Sequence, residues 1–489
     1  MGFELLSLPP EQRHCEVIAV VDDFRAQERN EYYKTPLITS IELSKLAEQH
    51  HDLIAINTCE HPKPKQFFER LCQENNIPSI SFQQAEQIFP VLRNKRRQRR
   101  KTLRRTLYSR TIDWLVFHLG KWPCKRNGIA LTRLDGAGDF LLWLDAAKHI
   151  CNHHPGQKIT LFANAHWAEY ATTFSYWDRV VAVDTTRINY DLAYRLKIIL
   201  SIWWEGYAIA INPTFYRRYI DVTDTLIRIS GAPVRIGWDC GVHTGLTMEQ
   251  KNQTDDWYTR LFTPSTTSPT TPEIVHDAEF ASQLIGFPIP PALHPLPQRK
   301  VRVLVPDHDY CVLFPGASWS GRRWPVEHFA ELGARLQQHF GWHIVLCGSI
   351  DEKPLCDAIE QQITAEHVLN LAGHTTFVEL VEVIRSAQLL VSNETSAIHI
   401  APAVDTESVC ILGGGHYGLF VPYPSVISGM KPAPAINRMD CYHCHWRCSQ
   451  LHEVNKAVPC IEHITVKDVF DIACQTITKN SWKPIAKPD

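Results

Sequence analysis

The sequence predicts an α/β protein with two doubly wound halves, each a parallel sheet flanked by helices, plus a small N-terminal α/β module. Three observations predict this. Short apolar runs of strand length alternate with helical patterns on both sides of a proline-rich stretch, Pro288 to Pro297. Twice, at Arg133–Asp139 and at Phe314–Val326, a strand pattern runs into a glycine-bearing loop and then into a helix. With 489 residues the chain has room for two or three such domains.

Composition narrows the class. The apolar share is 44% and the charged share 21%, as in ordinary globular proteins. A net charge of −2 gives no general basicity, so nucleic acid is not an expected partner. A membrane-spanning helix needs about eighteen or more apolar residues. The best candidate, Ile198 to Ile211, is interrupted by Glu205. The N-terminal MGFELLSLPPEQRHCE lacks the basic-then-apolar order of a secretory signal. A cytoplasmic location is the expectation. Most of the fifteen cysteines, such as Cys311, Cys347 and Cys410, sit singly in apolar runs and read as reduced core thiols.

In chain order, residues 1–92 read as a small Rossmann-like module. Val17–Val21, Leu53–Asn57 and Ile80–Phe82 are its strand candidates, and Ile41–Gln49 and Gln66–Asn75 its helices. No glycine-rich turn follows its first strand, so the dinucleotide fingerprint is absent. Residues 93–127 form a basic linker, densest at RNKRRQRRKTLRR. That run suits a solvated surface, or contact with anionic lipid at the inner membrane face or with a phosphorylated acceptor. The first doubly wound half spans 128–287. Its elements are strands at Ile129–Thr132, Lys158–Phe162, Val180–Val183 and Ala208–Ile211, and helices at Asp139–Ile150 and His276–Gly286. The second half spans 301–489, with strands at Ile344–Gly348 and Leu389–Ser392.

Four places carry chemistry. In RLDGAGDFLLWLDAAKHI, Gly136 and Gly138 let a ligand approach the backbone, and Asp139 opens a helix. A helix N-terminus is expected to keep that carboxylate ionised and facing a cleft. Asp135 reads as structural, holding the turn. In PGASWSGRRWP, the basic pair Arg322 and Arg323 precedes a helix, and a guanidinium fork suits phosphate. At Asn393–His399 a strand ends and a helix begins, so the N–H groups of Thr395, Ser396 and Ala397 point at an anion. His399, one turn on, either faces the cleft or packs. Glu352, past the end of a strand, suits ribose hydroxyls or simply starts a surface helix. Last, Cys441-x2-Cys444-x3-Cys448-x11-Cys460 has the spacing of a four-thiolate metal site for zinc or iron. His443, His445 and His452 lie near enough in sequence for a mixed ligand set.

The order and spacing of these loops resemble glycosyltransferase family 9, the heptosyltransferases. There the C-terminal half carries Pro-Gly-(Ala/Thr)-Ser, Lys-x-Trp-Pro and (Asn/Asp)-Asp-Thr-Gly-x-x-His. Here these are Pro315–Ser318, Arg322–Pro325 and Asn393–His399. Arg322 replaces the Lys, Glu394 the Asp and Ser396 the Gly. The family's Arg-x-Asp-x-x-Gly-Asp, which opens its first half, matches Arg133–Asp139. The resemblance runs from Gly128 to Val469 and implies the two-domain GT-B architecture, with a ligand cleft between the halves. It further implies Asp139 as general base, and Ser318, Arg322, Glu352, Thr395, Ser396, Ala397 and His399 around a nucleotide-sugar donor. ADP-heptose is the donor it favours. The cysteine cluster is also similar to that of the bacterial autotransporter heptosyltransferases, where it holds iron and supports oligomers.

The function expected is therefore an inverting glycosyltransferase acting on a hydroxyl of a glycan or protein acceptor. It would carry structural iron or zinc and no catalytic divalent metal, and a homo-oligomer is allowed. The alternatives are a GT-B transferase with another nucleotide donor, a GT-B epimerase, or a non-catalytic metal-stapled assembly module.

Overall fold

The computed structural model describes residues 126–217, 222–239, 248–446, 448 and 456–479, apart from 267, 269, 304 and 364–366. It also describes 20–21, 31–32, 35–38, 55–57, 70, 72–73, 79–81, 113 and 116. Contacts divide the chain into two units, Met1–Arg110 and Thr111–Asp489.

In the first unit, Val20–Val21 pairs in parallel with Thr35–Ile38, which pairs antiparallel with Glu31–Tyr32. Ala55–Asn57 pairs in parallel with Ser79–Ser81. The strands read at Val17–Val21, Leu53–Asn57 and Ile80–Phe82 thus belong to two small sheets, and Thr35–Ile38 was not anticipated. The Ile41–Gln49 helix and the basic run at Arg93–Arg105 lie outside the described residues.

The second unit holds two six-stranded parallel sheets. The first comprises β1 (Ile129–Arg133), β2 (Ile159–Asn164), β3 (Arg179–Val183), β4 (Ile209–Ile211), β5 (Val234–Trp238) and β6 (Arg260–Phe262). The second comprises β7 (Tyr310–Phe314), β8 (His343–Leu346), β9 (Val368–Asn370), β10 (Leu389–Asn393), β11 (Ser408–Ile411) and β12 (Ala433–Ala435). Their orders are β6-β5-β4-β1-β2-β3 and β9-β8-β7-β10-β11-β12. Each is the Rossmann arrangement, with the chain reversing direction across the sheet between its first and fourth strands. Ligands of such sheets bind at the carboxyl ends of those two strands. In this chain that means the loops after β1 and β4, and after β7 and β10.

The central strands are buried along their whole length, as β1, β2, β7 and β10 show, because helices cover both faces. The helices are α1 (Ala137–Asn152), α2 (Ala168–Ala171), α3 (Leu192–Glu205), α4 (Val222–Ile229), α5 (Met248–Asp255), α6 (Glu273–Ile285), α7 (Val326–Phe340), α8 (Lys353–Gln362), α9 (Phe377–Arg385), α10 (Ala397–Ala403), α11 (Pro459–Glu462) and α12 (Val466–Lys479). α6 packs along α1, and α10 touches α1. One buried cluster runs from Leu141 and Trp143 through Phe280 to Val312, Ile398 and Leu412, so the two halves share a core. Asp113 and Val116 also belong to this unit. Asp113 pairs with Arg195 of α3, and Val116 packs with Ile198 and Ile202. No helix among the described residues is long and apolar enough to cross a membrane.

Candidate active site

The loop after β1 is built on a buried ion cluster. Arg133, the last residue of the strand, is fully buried. Its Nη1 donates to Asp277 Oδ1 at 2.7 Å and its Nη2 to Glu273 Oε1 at 3.1 Å, while Nε lies 2.9 Å from Asp135 Oδ1. Burial works to lower the Arg133 pKa, but Asp135, Asp277 and Glu273 outweigh it and hold the cation charged. Three carboxylates cannot all be neutralised by one guanidinium. Burial accordingly pushes Glu273 and Asp277 well above the usual carboxylate range, against the pull of Arg133. Asp135 has the structural role expected of it. Besides the ion pair, its carbonyl accepts from the indole N–H of Trp167 at 3.0 Å and from Asn164 at 3.2 Å.

Asp139 sits in the first turn of α1, half-buried, beside this cluster. Its Oδ2 accepts from the Gly136 N–H at 3.1 Å, so the carboxylate reaches back to cap the helix start. The sequence places this carboxylate, ionised, at a helix N-terminus; the fold adds a raised pKa. Burial and the charge of Asp135 raise it to about 6, against Arg133 and the Gly136 N–H. At neutral pH it is mostly ionised, yet basic enough to take a proton.

Across the crevice, Asn393 at the end of β10 ties the loop after β7 in place. Its side chain donates to the Pro315 carbonyl at 2.7 Å and accepts from the Trp324 N–H at 3.1 Å. Arg323 donates twice to the Ala317 carbonyl, at 2.9 and 2.8 Å, and so holds the loop from within. Arg322 faces the other way and donates to Glu394 Oε2 at 3.0 Å. Burial raises the Glu394 pKa to about 7, opposed by Arg322 and assisted by Asp139. Asp139 and Glu394 are therefore close enough to feel each other across the two halves.

The halves meet at Gly138. A Cβ there would lie 3.2 Å from His399 Cδ2 and 3.7 Å from Ser396 Cα, so a glycine lets the two switch-point helices approach this closely. His399 both packs and faces this junction. It is buried, its Nδ1 is 2.7 Å from the Tyr423 hydroxyl, and burial lowers its pKa to about 3, so it is neutral. Thr395 Oγ1 lies 3.2 Å from Ser392 Oγ. Ser396 and Ala397 come before the first intrahelical bonds, which the N–H groups of Ile398, His399 and Ile400 make. Ser318 is exposed in the loop. Glu352 accepts from the Ser349 N–H at 2.8 Å, and lies so close over Gly316 that a side chain there would collide with it. Asp139, Arg322, Thr395, Ser396, Ala397 and His399 thus come together at one junction. Glu352 and Ser318 flank the loop of the second sheet.

The cysteines partly assemble. Cys441, Cys444 and Cys448 each push up the Cys460 thiol, after burial, so all four lie within electrostatic reach. Cys460 Sγ accepts from the Gly414 N–H at 3.4 Å, and the Trp446 N–H points at Cys444. The donor types and these N–H···S contacts fit a thiolate site. Even so, no group of three or more His, Cys, Asp or Glu among the described residues is gathered tightly enough to hold an ion. Sequence reasoning noted Glu394 only as a departure from the family pattern and missed Glu273, Asp277, His416 and Trp446. Glu273 and Asp277 lie on a helix more than a hundred residues from Arg133, and nothing local marks them.

Residues 225–431 match the model of glycosyltransferase family 9 (heptosyltransferase). Lipooligosaccharide heptosyltransferase 2 of Haemophilus influenzae is 33% identical over 103 residues, covering 20% of this chain and 30% of that protein. Lipopolysaccharide heptosyltransferase 3 of Escherichia coli is 32% identical over 121 residues, covering 24% and 35%. The chain thus spans about a third of the length of these curated relatives. Among solved structures, a family 9 glycosyl transferase from Veillonella parvula superposes with a TM-score of 0.54 at 15% identity, covering 72% of this chain and 98% of that one. E. coli ADP-heptose lps heptosyltransferase II gives 0.52 at 17% identity, covering 72% and 99%. These two likenesses speak to the fold, which is GT-B. With the sequence model, the strand order and the loop motifs in agreement, residues 225–431 are similar to glycosyltransferase family 9 (heptosyltransferase) and sit in a GT-B fold.

Proposed function

We propose that this protein is an inverting glycosyltransferase that moves a sugar, heptose from ADP-heptose, to a hydroxyl of a bacterial glycan or protein. The observation that carries the reading is a carboxylate raised to about 6 and a guanidinium standing at the meeting switch points of two Rossmann sheets. Asp139 takes the proton of the acceptor hydroxyl as its oxygen bonds to the anomeric carbon. On the opposite face the bond from that carbon to the phosphate oxygen breaks, and the nucleoside diphosphate leaves. Arg322 and the N–H groups at Thr395, Ser396 and Ala397 receive the charge. Glu394 is the partner the diphosphate displaces, and its raised pKa eases its taking up a proton. Neutral His399 and Ser318 line the donor side, and Glu352 holds the loop that carries it. The work is done in the cytoplasm, and the basic run at Arg93–Arg105 suits a location against the inner membrane.

The test is intact mass spectrometry of candidate acceptors after incubation with ADP-, GDP- and UDP-sugars. A mass gain of one heptose on an acceptor supports the reading. Sugar conversion without an acceptor would replace transfer with epimerisation, and donor binding without turnover would replace it with an assembly role. Arg322→Ala is expected to weaken ADP binding by about ten- to hundredfold, the loss of a charge-assisted contact. Arg323→Ala should do less, because that side chain serves the Ala317 carbonyl. Calorimetry giving the reverse order would exchange the two roles.

We further propose that Cys441, Cys444, Cys448 and Cys460 hold one structural iron or zinc ion. Such an ion would supply a closed staple with no open position for substrate. Each single Cys→Ser change is expected to lose the ion and lower the melting temperature. Elemental analysis of the purified protein checks this, with a visible absorption band distinguishing iron. A metal-free protein of unchanged stability, with four freely titrating thiols, would remove the site.

A further inference from the structure

The cysteine-rich segment does not stand apart from the donor side of the crevice. It is joined to the Arg322 loop at three points. The Trp446 ring lies under the Arg322 guanidinium, 5.1 Å from its centre, and edge-on to Trp319 at 6.0 Å. The Val458 N–H donates to the Gly321 carbonyl at 2.9 Å. The Trp324 indole donates to the Ile464 carbonyl at 2.8 Å.

The same segment is sewn to the glycine run that follows β11. The N–H groups of His443 and His445 donate to the Gly414 and Gly415 carbonyls at 2.8 and 2.9 Å. A side chain at Gly415 would collide with the Trp446 ring. His443, His445 and Trp446 all have positive φ, at 66°, 49° and 60°, a conformation non-glycine residues hold only when their surroundings impose it. What that backbone achieves here is the placing of one indole against Arg322 and His416, whose ring is 5.7 Å away.

This corner also holds unpaired polarity. Among the described residues, Arg322 Nε, Glu394 Oε1, His416 Nδ1 and Trp446 Nε1 are all buried without a hydrogen-bond partner. Buried polar atoms rarely stay so, and four in one niche mark a place made for a polar ligand.

We propose that the cysteine-rich segment forms a wall of the donor pocket and that Trp446 is a positioning residue, holding the Arg322 guanidinium in the orientation a nucleoside diphosphate requires. This rests on the reading of Arg322 as the diphosphate-binding cation. The indole face attracts the guanidinium and restricts its rotation, while Glu394 fixes one edge of the fork. A planar cation held on two sides keeps its free N–H groups aligned before the ligand arrives.

The test is calorimetric ADP binding to the full-length protein in four forms: Trp446→Leu, Trp446→Phe, Arg322→Ala and the Arg322→Ala/Trp446→Leu pair. Leucine keeps apolar bulk but has no aromatic face, so affinity is expected to fall about tenfold. Phenylalanine restores the face and should return to within about threefold of the parent. The double variant should bind no more weakly than Arg322→Ala alone, because Trp446 acts through that side chain. Unchanged affinity in Trp446→Leu, with Arg322→Ala weakened, would overturn the positioning role and leave the donor assignment standing. Equal losses in the Leu and Phe variants, with equally lowered melting temperatures, would make Trp446 a packing residue and also overturn it. Unchanged ADP binding in Arg322→Ala would bring down the donor assignment itself.

Discussion

Asp139→Asn is expected to slow sugar transfer by about 10²–10⁴-fold while donor affinity stays near that of the parent, as loss of a general base demands. Asparagine keeps the shape of the first turn of α1 and can still accept from the Gly136 N–H, so that contact survives. What it cannot do is take the acceptor proton. The parent enzyme carries a further signature. A carboxylate raised to about 6 is protonated below that pH, so kcat/KM should fall on the acid side with an apparent pKa near 6 rather than near 4. Asp135 contributes to that elevation through its negative charge. Asp135→Asn should therefore move the acid limb to lower pH, in the direction of the unperturbed carboxylate. Transfer rates and ADP affinity of both variants across pH 4 to 9 check this. An Asp139→Asn enzyme within about tenfold of the parent would remove the base assignment.

Legibility in the sequence followed the range of the interactions. Apolar runs and glycine-bearing turns depend on neighbours a few residues away. The strands β1, β2 and β10 and the helices α1 and α6 were therefore readable to within one to three residues at their ends. β5, β6, β9, β11 and β12 were not anticipated. Val234–Trp238 contains a glycine and an arginine, and Ala433–Ala435 has Pro434 at its centre and Pro432 just before it, which suits an edge strand but hides it. The loops that carry Asp139, Arg322 and Ser396 were legible because strand, turn and helix follow one another locally. Their meeting at Gly138 and His399 was not, since it depends on α1 packing against α10 across two domains. The raised pKa of Asp139 was not legible for the same reason. The Gly136 N–H at the helix start lowers it, but burial under distant parts of the chain and the charge of Asp135 raise it more. Trp446 lay hidden because a metal-like spacing drew attention to the cysteines and away from the ring between them.

The largest expected loss of stability comes from that cluster. Arg133→Met keeps the volume and removes the only cation among Asp135, Glu273 and Asp277 in the described structure. Breaking a buried ion group in this way typically costs about 3–5 kcal/mol, because charge is left in a place water cannot reach. The pH dependence gives the mechanism away. Without Arg133, the folded-state pKa values of Glu273 and Asp277 rise further above their unfolded values near 4. Folding then takes up protons, so the deficit is full above the folded pKa values and shrinks as pH falls through them. Denaturant midpoints should therefore show Arg133→Met far below the parent at pH 8 and closer to it at pH 5. Adding Glu273→Gln and Asp277→Asn should recover much of the difference at pH 8, since the neutral amides keep the shape without the charge. A variant as stable as the parent at pH 8, or one whose deficit is the same at both pH values, would mean that Arg133 holds the loop by packing alone.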